Sequence, residues 1–180
     1  MSKLLSFVPE KKELGGLLKP GKHVCTVKEI SWEHSKNHEE APWKDVNKQL
    51  KVVLRGKNGV ITAFMNTIAF QNSKDHNEIP PKDCFFGQFG DDETKYVINK
   101  KTRERVVSPE RSAEMQKNIG NLCFAAGVTK PVDENSIIGA LTDANVGVWV
   151  REKQLGGKTT VEAYYFVPTD EISEGAELEA

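Results

Sequence analysis

The chain holds only three cysteines in 180 residues, Cys25, Cys84 and Cys123, too few to pair into the disulfide framework of a small secreted domain. No apolar run is long enough to span a bilayer, and the opening MSKLLSFVPEKKELGG has a short apolar patch broken by Pro9 and Glu10, which does not make a secretory signal. No secreted, disulfide-stapled or membrane-spanning class is therefore expected, and a reducing cytoplasm is the expected setting. The motifs of common chemistry are missing too: no GxxxxGK[ST] phosphate loop, no GxSxG elbow, no HExxH, and no GxGxxG after a strand. No catalysis is expected. Cys25 and Cys123 fall on expected core faces and read as packing rather than as nucleophiles. There is no CxxC pair. His34 and His38, at i, i+4 spacing, are the best zinc candidates, but they lie in an expected loop, and no cofactor is expected. No internal repeat occurs.

What is present fits one globular domain. Hydrophobic residues make up 38% and charged residues 28%, and the length is enough for one core but not for two. The net charge of -1 conceals an asymmetry. Residues 170–180 carry Asp170, Glu171, Glu174, Glu177 and Glu179 and no cation, a charge of -5, so residues 1–169 carry +4. A mildly basic body joined to an acidic, disordered tail at 169–180 is a composition that points toward nucleic acid; the plain alternative is a solubilising, frayed terminus.

Residues 1–21 are expected to be an irregular lead-in, punctuated by Pro9, Gly15, Gly16, Pro20 and Gly21. The body spans 22–168. Lys22–Trp32 reads as a strand with an alternation slip near Ile30 that a bulge would explain. A long polar loop over 33–45 follows. Lys48–Arg55 alternates strictly, with Leu50, Val52 and Leu54 on one face, and Asn58-Gly59 then signals a hairpin through residues that tolerate positive φ, with Val60–Phe70 returning. Residues 71–107 read as an insertion, mostly irregular to 94, with a second hairpin of YVIN and RERVV over 95–107. Ser108-Pro109-Glu110 opens a helix to about 126, marked by Met115, Ile119, Leu122, Cys123 and Ala126, with Gly127 as its left-handed end. A short helix within 133–143 and a terminal hairpin, 145–152 and 159–167 about Gly156-Gly157, complete the body.

Few curved strands and one amphipathic helix, placed after three strands and before two, predict a mainly β fold: an OB-like five-stranded, partly open Greek-key barrel plugged by the helix. The alternative is an α+β open sheet with the helix on one face. In layout, the opening GKHVCTVKEI strand, the KQLKVVLR strand, the helix IGNLCFAAGV and the closing VGVWVREKQLGGKTTVEAYYFVP hairpin with its acidic tail resemble the phage-type single-stranded DNA-binding proteins with an OB fold, over about residues 20–180. The resemblance implies a replication or recombination accessory protein in a bacterial host's cytoplasm, whose tail contacts replication partners such as a polymerase or helicase and competes with DNA for a basic groove.

The residues themselves supply a candidate surface. If Leu50, Val52 and Leu54 point inward, Lys51 and Arg55 point outward; if Val146, Val148 and Val150 point inward, Trp149 and Arg151 point outward. Cations along a phosphate track and aromatic faces for stacking are what sequence-independent binding of unpaired strands requires. Lys153, Lys158 and either Tyr164 or Tyr165 lie nearby. Trp43 and Lys44 border the first loop and either help wrap the strand or anchor that loop on the body. A second basic region, seven cations against three acids from Lys95 to Lys117, either extends the track or is a hydrated hairpin. The competing readings are a protein-interaction or structural module that docks through CFFGQFG (Cys84 to Gly90), and an RNA binder. A homo-oligomer stays open, and no membrane partner is expected.

Overall fold

The computed structural model describes residues 16–34, 40–45 and 47–172. One five-stranded sheet dominates: β1 (Gly21–His34), β2 (Lys48–Arg55), β3 (Val60–Asn66), β6 (Asn145–Leu155) and β7 (Lys158–Val167), in the order β3-β2-β1-β6-β7 with every pairing antiparallel. A second, two-stranded sheet pairs β4 (Cys84–Gly87) with β5 (Tyr96–Asn99). The helices are α1 (Pro109–Ala125) and the single-turn α2 (Ser136–Leu141). Among the described residues no helix is long and apolar enough to cross a membrane.

β1 is the axis of the sheet. Its first half, Gly21 to Thr26, pairs with β6, and its second half, Thr26 to His34, pairs with β2. The expected slip is real: the register shifts between Val27 and Glu29, leaving Lys28 as the extra residue, so Val27 and Ile30 are both buried while Lys28 and Glu29 reach solvent. The bulge lets one strand serve two partners without turning its apolar face outward. Leu50, Val52 and Leu54 are buried as the alternation requires, in one continuous core with Val146, Val148 and Val150. Each such side chain contributes about 1.5–3 kcal/mol on burial.

The sheet is open and not a closed barrel, so of the expected barrel the mainly β five-stranded sheet is present without closure, as in the open-sheet alternative. β3 and β7, its two edges, run near one another, but no ladder joins them among the described residues. α1 sits across this seam, packing on both edges; the Asn121 side chain accepts from the Phe166 N–H at 3.2 Å and the Gln116 amide donates to the Thr67 carbonyl at 3.2 Å. Its start is capped as expected, Ser108 Oγ accepting from the Arg111 N–H, and Gly127 ends it at φ 81°.

Three local expectations change. The lead-in is not wholly peripheral, because Leu18 is fully buried and Gly16 to Leu18 bond Val60 across β3; residues 1–15 lie outside the described residues. At the β2–β3 turn neither Asn58 nor Gly59 has positive φ. Gly59 is small for another reason: a Cβ there would lie 2.5 Å from the Gly16 carbonyl oxygen, so the lead-in needs the bare backbone to dock. The insertion is more ordered than its composition indicated. β5 pairs with β4 on one side and, through the Ile98–Arg105 bridge, keeps part of the expected 95–107 hairpin on the other. The terminal turn does form at Gly156-Gly157, both at positive φ (55° and 77°), as a two-residue connection requires.

Candidate nucleic-acid interface

Two aromatic clusters, each built on a tryptophan, a tyrosine and an arginine, emerge from the fold. The first lies on the outer face of the β6–β7 hairpin. Trp149 stands opposite Tyr165 in the β6–β7 ladder, and the register then shifts, because Val150 pairs with Ala163. Tyr164 is the extra residue of that bulge. Two successive side chains therefore reach the same outer face, which resolves the choice between them: both tyrosines are exposed, 43% and 45%. Their rings meet Trp149 edge-on, with centroids 6.1 Å and 5.3 Å away. Lys22 of β1, the cross-strand partner of Trp149, holds its ammonium 4.4 Å from the indole centroid, and the Arg151 guanidinium lies 4.6 Å from the Tyr164 ring. Lys22, Trp149, Arg151 and Tyr164 line a shallow cleft of about 560 Å³.

Arg151 and Lys153 share one carboxylate, Glu162, at 2.8 Å and 3.1 Å, so the three groups keep a net positive charge. Partial burial raises the affinity of Glu162 for its proton, but the two cations outweigh that and hold it below the ordinary glutamate range.

The remaining candidates divide. Arg55 is exposed, lies opposite Thr26 on the same outer face, and has no ion pair among the described residues. Lys51 is also on that face but opposite Ser31, at the far end of β1 from Trp149, and is bracketed by Glu29 and Glu33 at 3.9 Å and 3.6 Å. The cations of β2 and β6 thus share a face without forming one cluster along it. His34 ends β1 opposite Lys48, whereas His38 lies outside the described residues; among those described, no three His, Cys, Asp or Glu side chains gather as a metal site would need.

Trp43 is a correction. It is only 9% exposed and forms the second cluster, where its ring packs edge-on against Tyr96 and Phe89. The Arg105 guanidinium lies among Phe70, Trp43 and Tyr96, 3.8 Å, 4.8 Å and 4.9 Å from their centroids, with Asp45 at 3.7 Å. That indole anchors the first loop onto the insertion and has no face free for a base. Lys44 beside it is exposed, its N–H donating to the Arg103 carbonyl at 2.8 Å.

Sequence reasoning passed over Lys22 and Phe64. Phe64, opposite Lys51 in β3, is 55% exposed and lines, with Tyr164, Tyr165, Lys153 and Leu155, an open cleft of about 620 Å³ along the β3–β7 seam. The signal for it was present: Ile61, Ala63 and Met65 alternate inward, which sends Phe64 out. That the seam brings Phe64 beside the terminal hairpin is a matter of sheet curvature, which no local pattern records. Compared with protein-family models and with curated proteins, the chain matches none.

Proposed function

We propose that this protein binds single-stranded DNA without sequence preference, through the outer face of the β6–β7 hairpin and the adjoining β3–β7 seam, protecting unpaired strands during phage replication or recombination. The observation that carries this reading is the β7 bulge, which sets Tyr164 and Tyr165 side by side in solvent next to Trp149, with Lys22 and Arg151 over the rings. Aromatic faces interleaved with cations hold bases and phosphates together, and neither reads a base edge. Phe64 continues the aromatic surface across the seam.

The architecture favours the same reading. Strand order β3-β2-β1-β6-β7, a bulged β1 shared between two halves, and a helix between the third and fourth strands of the large sheet are what an OB-like Greek-key barrel has when its last seam is left unpaired. The chain also leaves β7 at a telling place. Ile172 folds back over the outer face of β6, where its Cδ1 would sit 2.7 Å from a Cβ on Gly147, next to Trp149 on that face. Glu174, Glu177 and Glu179 follow in the sequence, outside the described residues; the proposed role of this acidic tail is to screen the cations of that face until DNA displaces it and leaves it to a polymerase or helicase.

Titration with oligo-dT and with duplex of equal length, across a range of salt, tests the reading. Tryptophan emission should be quenched by the single strand, with a steep inverse dependence on salt and weaker duplex binding. Deleting 173–180 should tighten single-strand binding at low salt and change little at high salt. No quenching and no salt-sensitive binding would overturn the proposal; tighter binding of ribo- than deoxyribo-oligomers would turn it toward RNA. The docking alternative through CFFGQFG has less to stand on, since Phe85 and Phe86 are half-buried in β4 and Gly87 is buried against Ile98.

A further inference from the structure

We infer that the open end of the β4–β5 insertion is a second nucleic-acid contact, one that grips the phosphate backbone by charge alone and does not distinguish single strands from duplex. The inference rests on the nucleic-acid reading above and extends it to a part of the molecule remote in sequence from the hairpin.

The β4–β5 ladder separates two charged ends. At one end, beyond the Gly87–Tyr96 pair, lie Asp91, Asp92 and Glu93. At the other, beyond the Cys84–Asn99 pair, lie Lys82, Lys100, Lys101 and Arg103, and the first loop brings Lys44 to them. All five are exposed, and among the described residues none is in an ion pair; only Asp83 and Glu104 offset them locally. Five cations against two acids give this knuckle +3. By contrast the other cations of the basic stretch from 95 to 117 are largely spent: Arg105 is buried among rings, Arg111 is clamped to Asp75 at 2.6 Å, and Lys117 pairs with Glu114 at 3.2 Å.

The knuckle is held firmly. The Lys100 N–H donates to the Asp83 carbonyl at 2.9 Å, Arg103 N–H to Asn99 at 2.8 Å, and Lys44 N–H to Arg103 at 2.8 Å. Asn99 Oδ1 accepts from the N–H groups of Lys101 and Thr102. Asp83 and Arg103 both sit in the left-handed region, at φ 62° and 60°, a conformation that side-chain-bearing residues adopt at a cost. The unpaired charges are thus displayed on a fixed frame rather than on a loose loop, which lowers the ordering cost of binding a polyanion. Among the described residues the knuckle also lacks an exposed ring to stack on, since Phe85 and Phe86 of β4 are half-buried. Every ring of the neighbouring cluster, Trp43, Phe70, Phe89 and Tyr96, is turned into the Arg105 cluster or partly buried beside it. Charge without exposed rings contacts phosphates whether or not the bases are paired, whereas the hairpin surface needs unpaired bases.

The decisive experiment measures salt-dependent binding of oligo-dT and of duplex by the full chain, by K82Q/K100Q/K101Q, and by Y164A/Y165A. Thermal melting of each variant checks that the fold is kept. The knuckle variant should lose about 0.7 in the salt slope for oligo-dT, and about 0.9 for duplex, per phosphate contact removed. The tyrosine variant should lose single-strand affinity only. Unchanged slopes for the knuckle variant, with single-strand affinity lost in the tyrosine variant, would overturn the second contact and leave the hairpin reading intact. Unchanged slopes combined with lost binding of poly-glutamate would overturn it in favour of an acidic protein partner. Absence of any oligonucleotide binding by the full chain would overturn both readings together.

Discussion

The Trp149 and Trp43 clusters are nearly the same in composition and opposite in exposure. Each joins an indole, one or more phenol rings and an arginine, and each leaves one donor, Trp149 Nε1 or Arg105 Nε, buried without an acceptor. In the first, two rings are exposed and the cations stand at the edge of solvent, their ion pair with Glu162 half-wetted. In the second, Arg105 is enclosed: burial lowers its pKa, and nearby Asp45 and Asp92 with Tyr96 only partly restore it. An enclosed guanidinium stacked on three rings is cement for the insertion; an open one beside exposed rings is available to a ligand. Composition does not separate them, but exposure does.

Breaking the enclosed cluster should have the largest effect. Arg105→Ala removes the guanidinium 3.7 Å from Asp45 and the filler among three rings, and should cost about 3–5 kcal/mol, read as a lowered urea midpoint or melting temperature. Single-strand affinity of the folded fraction should hardly move. If stability were unchanged and DNA binding lost, the two clusters would have been assigned the wrong way round. The open cluster should respond in the opposite manner. Tyr164→Ala and Tyr165→Ala should each weaken oligo-dT binding by about 1–3 kcal/mol, roughly 5- to 150-fold, with little change in melting, because the rings are half in water already.

The smallest and sharpest test concerns Glu162. Its folded pKa is depressed, so its ion pairs contribute above the ordinary glutamate range and are lost as pH falls through the folded value. Glu162→Gln reproduces that loss at neutral pH. It should release Arg151 and Lys153 and tighten oligo-dT binding by no more than about 1 kcal/mol, with a steeper salt slope and a slight loss of stability. Weaker binding would mean that Glu162 positions these cations rather than competing for them.

Much of the fold was written locally. The Lys48–Arg55 strand, the Ser108 cap, the Gly127 stop and the Gly156-Gly157 turn each follow from a few adjacent residues, and each appears where the pattern put it. So did the outward faces of β2 and β6: Arg55 and Arg151 are exposed, whereas Trp149 points outward but is half-buried against Lys22 and the two tyrosines. The failures came where a distant partner decided. The local pattern leaves Trp43 either wrapping a strand or anchoring its loop, and Arg105, Phe70 and Tyr96, from another part of the chain, decide for the anchor. Lys51 looked like a free cation until the β1 register put Glu29 and Glu33 beside it. Asn58-Gly59 tolerates positive φ and marks the hairpin that forms, but neither residue uses that freedom; Gly59 serves a close approach by Gly16.

What the sequence alone determined was the alternation and capping of individual elements, because hydrophobic period and terminal hydrogen bonds act over a few residues. Which outward side chains share a surface, which aromatic cluster is sealed, and whether the sheet closes were decided only by tertiary structure. Bulges at Lys28 and Tyr164 shift the register, and the register between strands far apart in the chain fixes which charges cancel and which stay free.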